Sequence, residues 1–200
     1  MTDQPLAGKA VAILIANGFE EVEMTEAQRA LLRAGAAPKI ISPEQGLVNG
    51  WHGTSWGHYF PTDKQIGEVL AADFDLLVLP GGERSVTKLA ANPHTRRIIG
   101  SFMDAGKGVA AINHGVQLLA VAQRLKGRTV TGNEAIRETV EAAGATWVAE
   151  EGQNMNIDRQ LLTARGPEEV VPEFIDTMLR VFADAIEYRR QLLAEKAAAA

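Results

Sequence analysis

Residues 110–120 read AAINHGVQLLA, and the fold can be worked outward from that stretch. Small apolar residues suited to a buried strand run into a residue-His-Gly step, after which Val116, Leu118 and Leu119 take up a helical pattern. A strand that turns abruptly into a helix has the layout of a nucleophile elbow, whose apex residue is held in a strained backbone conformation. The apex is Asn113. Asparagine tolerates a positive φ better than most residues, so it can hold such a turn, but it has no nucleophilic atom.

Before the elbow, residues 10–15 (AVAILI) form a continuous apolar run, the pattern of a strand covered on both faces. A helical pattern over residues 21–34 ends at Gly35, and residues 39–42 form a second strand, which makes a right-handed strand-helix-strand start. Residues 46–59, rich in glycine and aromatics, read as a hairpin leaving the main sheet. Residues 75–79 (DLLVL) are the clearest buried strand and lead into Pro80-Gly81-Gly82. A helical segment over 85–105 is broken at Pro93, and residues 109–112 lead into the elbow and a helix over 114–125. Further strands are expected at 128–131 and 160–164, a helix near 134–143, a long amphipathic helix over 172–191, and fraying at 194–200. With no repeats and no Pro/Ser linker, residues 1–200 read as one doubly wound α/β domain with a helical extension from about 183 to 200. In such folds ligands sit beyond the carboxyl ends of the strands, which selects the loops 17–23, 80–85 and 113–117.

Composition removes several functions. The 200 residues include 20 basic and 25 acidic side chains, four histidines and no cysteine. Without cysteine there is no disulfide framework, thiolate metal site, iron–sulfur cluster or cysteine nucleophile. A net charge of −5 without a basic stripe argues against nucleic acid as partner. The first nine residues lack the pattern of a signal peptide, and no apolar stretch reaches the ~20 residues of a membrane span. The expected location is the cytoplasm, and no cofactor is expected. His52 and His58 are six positions apart with no third ligand, so no metal site is expected either.

In the first loop, Glu20 and Glu21 fit the favourable end of a helix dipole. Glu23, flanked by Val22 and Met24, fits an inward-facing carboxyl with a perturbed pKa that accepts from Asn113 in its ionised form. In the second loop, Gly81 and Gly82 can expose backbone N–H groups to an occupant of the site.

The combination GFEEVE, LVLPGG and AAI-x-HG-x-QLLA resembles the ThiJ/PfpI family, which includes intracellular peptidases, deglycases and general stress proteins. NGWHG at 49–53, AGATWV at 143–148 and LLTARGPEEV at 161–170 extend the resemblance. It implies a flavodoxin-like three-layer sandwich with a mostly parallel sheet, in a homodimer or larger homo-oligomer. The family's reactive cysteine falls on Asn113, its histidine partner on His114 and its first-loop acid on Glu23. A further acid, reaching the histidine of a neighbouring subunit in peptidase-like members, falls on Val86, with Glu83 three residues earlier as an imperfect substitute. Ser85, Thr87 and Ser101 are hydroxyls off the elbow. Gly81, Gly82 and Gly115 are expected to line an oxyanion-like pocket, and His52, Trp51 and Glu83 its rim or a subunit interface. No catalytic set is intact, so thiol-dependent peptidase and deglycase chemistry is excluded. Three readings follow: a stress-associated protein whose pocket binds a small carbonyl, amide or anion; a cysteine-independent lyase, isomerase or hydratase using Glu23 and His114; or a chaperone-like structural oligomer.

Overall fold

A computed structural model of the chain describes residues 4–148 and 150–198. In chain order the elements are β1 (Ala10–Leu14), β2 (Phe19–Glu20), α1 (Glu21–Arg33), β3 (Ala37–Ser42), β4 (Leu47–His52), β5 (Ser55–Pro61) and β6 (Lys64–Gln65). β7 (Leu76–Leu79), α2 (Glu83–Ala91), α3 (Pro93–Asp104), β8 (Gly108–Ile112), α4 (Gln117–Val121) and β9 (Thr129–Val130) follow. The chain ends with α5 (Arg137–Ala142), β10 (Thr146–Trp147), β11 (Met155–Asp158), β12 (Leu161–Ala164) and α6 (Val171–Ala198).

The central sheet has the order β11-β12-β8-β7-β1-β3-β6, and every pair in it is parallel except β11 with β12. Its strands read as unbroken apolar runs because alternate residues enter two different cores. Val11, Ile13, Leu76, Val78, Ala110 and Ile112 face Met24 and Leu31 of α1 and Phe174 and Phe182 of α6. Ala12, Leu14, Leu77, Leu79, Val109 and Ala111 face Val86, Leu89, Phe102 and Leu118 of α2, α3 and α4. The result is a three-layer α/β sandwich. β1 feeds β3 on one side and lies against β7 on the other, so the strand order reverses between β1 and β7. A crevice opens at such a reversal, and the first two candidate loops leave the sheet there.

Several sequence expectations change in detail. The break at Pro93 separates α2 from α3, with the Asn92 Oδ1 accepting from the His94 N–H at 2.9 Å as the helix cap. The helix expected over 114–125 is shorter: a single turn of 3-10 helix at Asn113–Val116 precedes α4, which stops at Val121. Gln123 enters the left-handed region at φ 57°, and the Arg124 N–H bonds the Leu119 carbonyl, a Schellman-type closure without glycine. Instead of fraying, residues 194–198 remain in α6, as their Ala, Glu and Lys content favours. Residues 199 and 200 of that expectation, and residues 1–3 of the N-terminal reading, lie outside the described residues. Among the described residues no helix is long and apolar enough to cross a membrane.

The expected excursion is a hairpin, β4–β5, which joins β2 in a separate three-stranded sheet. Glu21 holds it. One carboxylate oxygen accepts from the His58 N–H at 2.7 Å, while the other meets the His58 Nδ1 at 2.6 Å. Burial raises the pKa of Glu21, but those bonds and the His58 charge outweigh it, so the group sits below the usual carboxylate range. Glu21 is therefore a tether as well as a first-turn acid.

A Cβ on Gly115 would run into the Leu79 carbonyl oxygen and lie 2.8 Å from that of Pro80. Both obstacles are backbone at the end of a central strand, so neither can turn aside. Gly115→Ala is expected to destabilise the protein by about 1–3 kcal/mol through overpacking. Urea unfolding measures this, and an unchanged midpoint would show that the elbow can shift away from β7.

Candidate functional site

Asn113 follows the last residue of β8 and has φ 52°, so the apex of the elbow occupies the left-handed region. Three hydrogen bonds fix its carboxamide. The Nδ2 donates to the Glu23 Oε1 at 2.7 Å and to the Gly166 carbonyl at 3.1 Å, and the Oδ1 accepts from the Gly166 N–H at 3.1 Å. Both hydrogens of the amide nitrogen are thereby engaged. Gly166 lies in the LLTARGPEEV stretch, but its pairing with Asn113, 53 positions away, leaves no local pattern.

Glu23 lies in the first turn of α1 and is only 4% exposed. Its second oxygen, Oε2, accepts from the Gly81 N–H at 2.6 Å. Burial pushes its carboxyl up to about 7; the bonds from Asn113 and Gly81 oppose the rise, and the neighbouring Glu20 charge adds to it. Glu23 and Asn113 meet as expected, yet the carboxyl is poised near neutrality and is not simply ionised.

The glycines have more specific tasks than lining a pocket. Gly81 presents its N–H to Glu23, which corrects the expectation that this donor faces an occupant of the site. A Cβ there would lie 2.8 Å from the Glu23 Oε2, so the bond requires glycine. Gly82 turns at φ 102° against the Gly18 carbonyl, and Gly115 packs beneath β7.

His114 is half-buried, and its side chain makes no hydrogen bond within the described residues. Burial lowers its pKa, and the Glu83 charge pulls the other way. The imidazole is therefore neutral at pH 7 and can either donate or accept. Glu83 thus acts on the histidine of its own chain. Val86 is 2% exposed and packs in the core beneath α2. The off-elbow hydroxyls are engaged with backbone: Ser85 accepts from the Ala16 N–H at 2.9 Å, Thr87 donates to the Glu83 carbonyl at 2.8 Å, and Ser101 donates to the Arg97 carbonyl at 2.9 Å.

The rim beside α2 is aromatic and cationic. The Arg84 guanidinium lies 3.9 Å from the Trp51 ring centroid and 6.0 Å from that of Trp56, and the two indoles meet edge to face at 5.4 Å. His52 is exposed, and its charge lowers the pKa of Glu20, which burial raises. Arg84 is not legible in the sequence, because stacking on a residue 33 positions away leaves no local pattern. Among the described residues no group of three or more His, Asp or Glu side chains is arranged to hold a metal.

The Glu23 carboxyl holds a proton more tightly in the folded protein, at about 7, than the 4.5 of a free carboxyl. Its contribution to stability is therefore complete below pH 4.5 and is lost as pH rises towards 7. The difference corresponds to about 3 kcal/mol. Relative to Glu23→Gln, the wild type should lose roughly that much stability between pH 4.5 and 7.5, in urea titrations run at each pH. Parallel pH profiles for the two proteins would mean that the carboxyl titrates normally.

Comparison with known proteins agrees with this geometry. Residues 9–180 match the DJ-1/PfpI family. General stress protein 18 of Bacillus subtilis is 37% identical over 164 residues, covering 82% of this chain and 92% of its own length. Protein/nucleic acid deglycase 2 of Escherichia coli is 35% identical over 175 residues, covering 86% of this chain and 97% of its own. Among solved structures, a two-domain protein of Anabaena variabilis with DJ-1/ThiJ/PfpI-like and ferritin-like domains superposes with a TM-score of 0.77 at 29% identity. That superposition covers 90% of this chain and 48% of the other, so this chain spans about half of its length. The matched span contains β1, the elbow, β12 and the start of α6, and the chain belongs to the DJ-1/PfpI family.

Proposed function

We propose that this protein is a thiol-free member of its family in which the elbow serves binding and not covalent turnover. The ligand would be a small carbonyl, amide or anion, met by the neutral His114 imidazole beside a rigid clamp. One observation carries the reading: the Asn113 carboxamide is fully committed to Glu23 and Gly166. A side chain so held cannot attack a substrate, and the chain has no cysteine to replace it. What remains is a shaped polar end of the sheet, where the His114 side chain makes no hydrogen bond among the described residues. The stress-protein relative supports a stress-associated role. Trp56 and Tyr59, 54% and 69% exposed on β5, support a homodimer or larger homo-oligomer with the hairpin in its contact.

A second reading rests on Glu23. A carboxyl with a pKa of about 7 is suited to proton transfer at neutral pH, as a cysteine-independent lyase, isomerase or hydratase would need. Against it, both oxygens are engaged and the group is buried.

Two experiments separate these readings. Small aldehydes, amides and carboxylates are screened for a rise in melting temperature, because a ligand that prefers the native state stabilises it. The binding reading expects a rise that His114→Ala removes; it fails if no compound stabilises the wild type or if the variant responds equally. In parallel, Asn113→Cys restores a thiol at the apex. Turnover of glycated substrate or small dicarbonyls should then rise at least about a hundredfold over the wild-type background. Wild-type turnover that disappears in Glu23→Gln would instead establish the acid–base reading.

A further inference from the structure

A cavity of about 520 Å³ lies between α6 and the turn joining β11 to β12, far from the elbow. Gly106, in the loop before β8, reaches this cavity, whereas Asn113 follows the far end of the same strand. The five residues of β8 therefore separate the two places by about 16 Å. One wall is apolar, formed by Ile157 of β11 and by Val181, Ala185 and Tyr188 of α6. Ile157 and Tyr188 are exposed large side chains, 45% and 66%.

Two guanidinium groups complete the lining. Arg159 stands at the hairpin turn with φ 57°, a left-handed conformation that costs a bulky residue energy and glycine almost none. Its Nε donates to the Asp158 Oδ1 at 3.1 Å, which leaves its two terminal nitrogens without a hydrogen-bond partner among the described residues. Asp158 is already held by the Thr129 N–H at 2.9 Å and by Arg128 at 3.3 Å, so it does not need Arg159. Arg180 makes no hydrogen bond or ion pair among the described residues, although Asp184 lies one turn further along α6. With Asp184 the one acid in the lining, the cavity carries an excess of positive charge in a chain whose net charge is −5.

We propose that this cavity is a second ligand site, for a small organic anion with an apolar body, a carboxylate on an aliphatic or aromatic frame. The guanidinium groups would take the carboxylate through paired N–H donors, for which their planar fork is suited. The body would lie along Ile157, Val181 and the Tyr188 ring. The volume falls in the range of small-molecule sites, and two cations are too few for a polyanion. Val181, Ala185 and Tyr188 of the apolar wall lie beyond residue 180, where the family match ends, whereas Ile157 and both arginines lie within it. The site does not rest on the reading of the elbow.

The test is calorimetric titration of the full chain with octanoate and 3-phenylpropionate, each beside its neutral amide. At least one carboxylate should bind one to one, about tenfold or more tightly than its amide, and Arg180→Ala should weaken it about tenfold. Arg159→Gly should weaken it similarly while leaving the melting temperature unchanged or raised, because glycine accepts the turn's φ without strain. A merely structural arginine would instead lower the melting temperature and leave affinity alone. The proposal is overturned if neither carboxylate binds at millimolar concentration, or if amides and both variants bind as the carboxylates bind the wild type. It is also overturned if sedimentation shows a dimer that Arg180→Ala dissociates, since a second copy would then fill the groove.

Discussion

The architecture of the candidate site depends on one buried carboxyl. Glu23 receives the Asn113 amide on one oxygen and the Gly81 N–H on the other, and Asn113 continues the connection to Gly166. These four residues leave the sheet after β1, β7, β8 and β12, so the loops following four parallel strands are tied to a single group. A buried carboxyl without partners would be costly, and one with two strong donors fixes the places of those donors. The sheet order accounts for the position of the tie. The reversal between β1 and β7 opens a crevice that side chains from the loops must fill. A polar filling with every bond made specifies loop positions more sharply than apolar packing, which has no preferred direction.

Much of this was legible in the sequence, for physical reasons that differ by element. β1, β7 and β8 are apolar without alternation because both faces are covered, and in a chain with no membrane-length stretch such short runs mark the central strands of a parallel sheet. β11 is hard to read because MNID alternates apolar and polar residues over only four positions, the shortest run in which a strand pattern can show. It is held by pairing with β12 and by bonds such as Asn156 Nδ2 to the Thr129 carbonyl at 2.6 Å, across the sheet's edge. The end of α4 falls earlier than expected because Gln123 takes a position where glycine is the usual signal. At the site, side chains could be read and backbone could not. Glu23, Asn113 and His114 stand out by residue type, whereas the Gly81 N–H and both polar groups of Gly166 act through atoms that nearly every residue has.

The hairpin shows how charge can supplement a small apolar contact. β5 is largely exposed, and the hairpin's apolar hold is confined to Val48 in the core and Phe60 against Phe19. Beside the bonds of Asn49 to Asn17 and Gly18, two charged anchors hold the β4–β5 unit against the body: Glu21 of α1 on His58, and Arg84 of α2 on Trp51. Both anchors start from the helices that frame the elbow. The position of the aromatic rim is therefore set by the same loops as the clamp, and a change in one would be felt by the other.

The asparagine at the apex can be understood by asking which side chains the position admits. The backbone there needs φ near 52°, which disfavours β-branched and bulky residues. Glu23 needs a donor directed at its Oε1, and the Gly166 backbone needs both an acceptor and a donor. Glycine would satisfy the backbone and supply none of these groups. Aspartate would set a second carboxylate against one already pushed up to about 7. A hydroxyl or thiol offers a single hydrogen and could serve only one of the two acceptors. Asparagine tolerates the φ, donates twice and accepts once, which matches the three bonds present. The residue that gives the apex no nucleophilic atom therefore also closes it more completely than a single-donor side chain could. The absence of a nucleophilic atom and the rigidity of the frame are two consequences of one carboxamide.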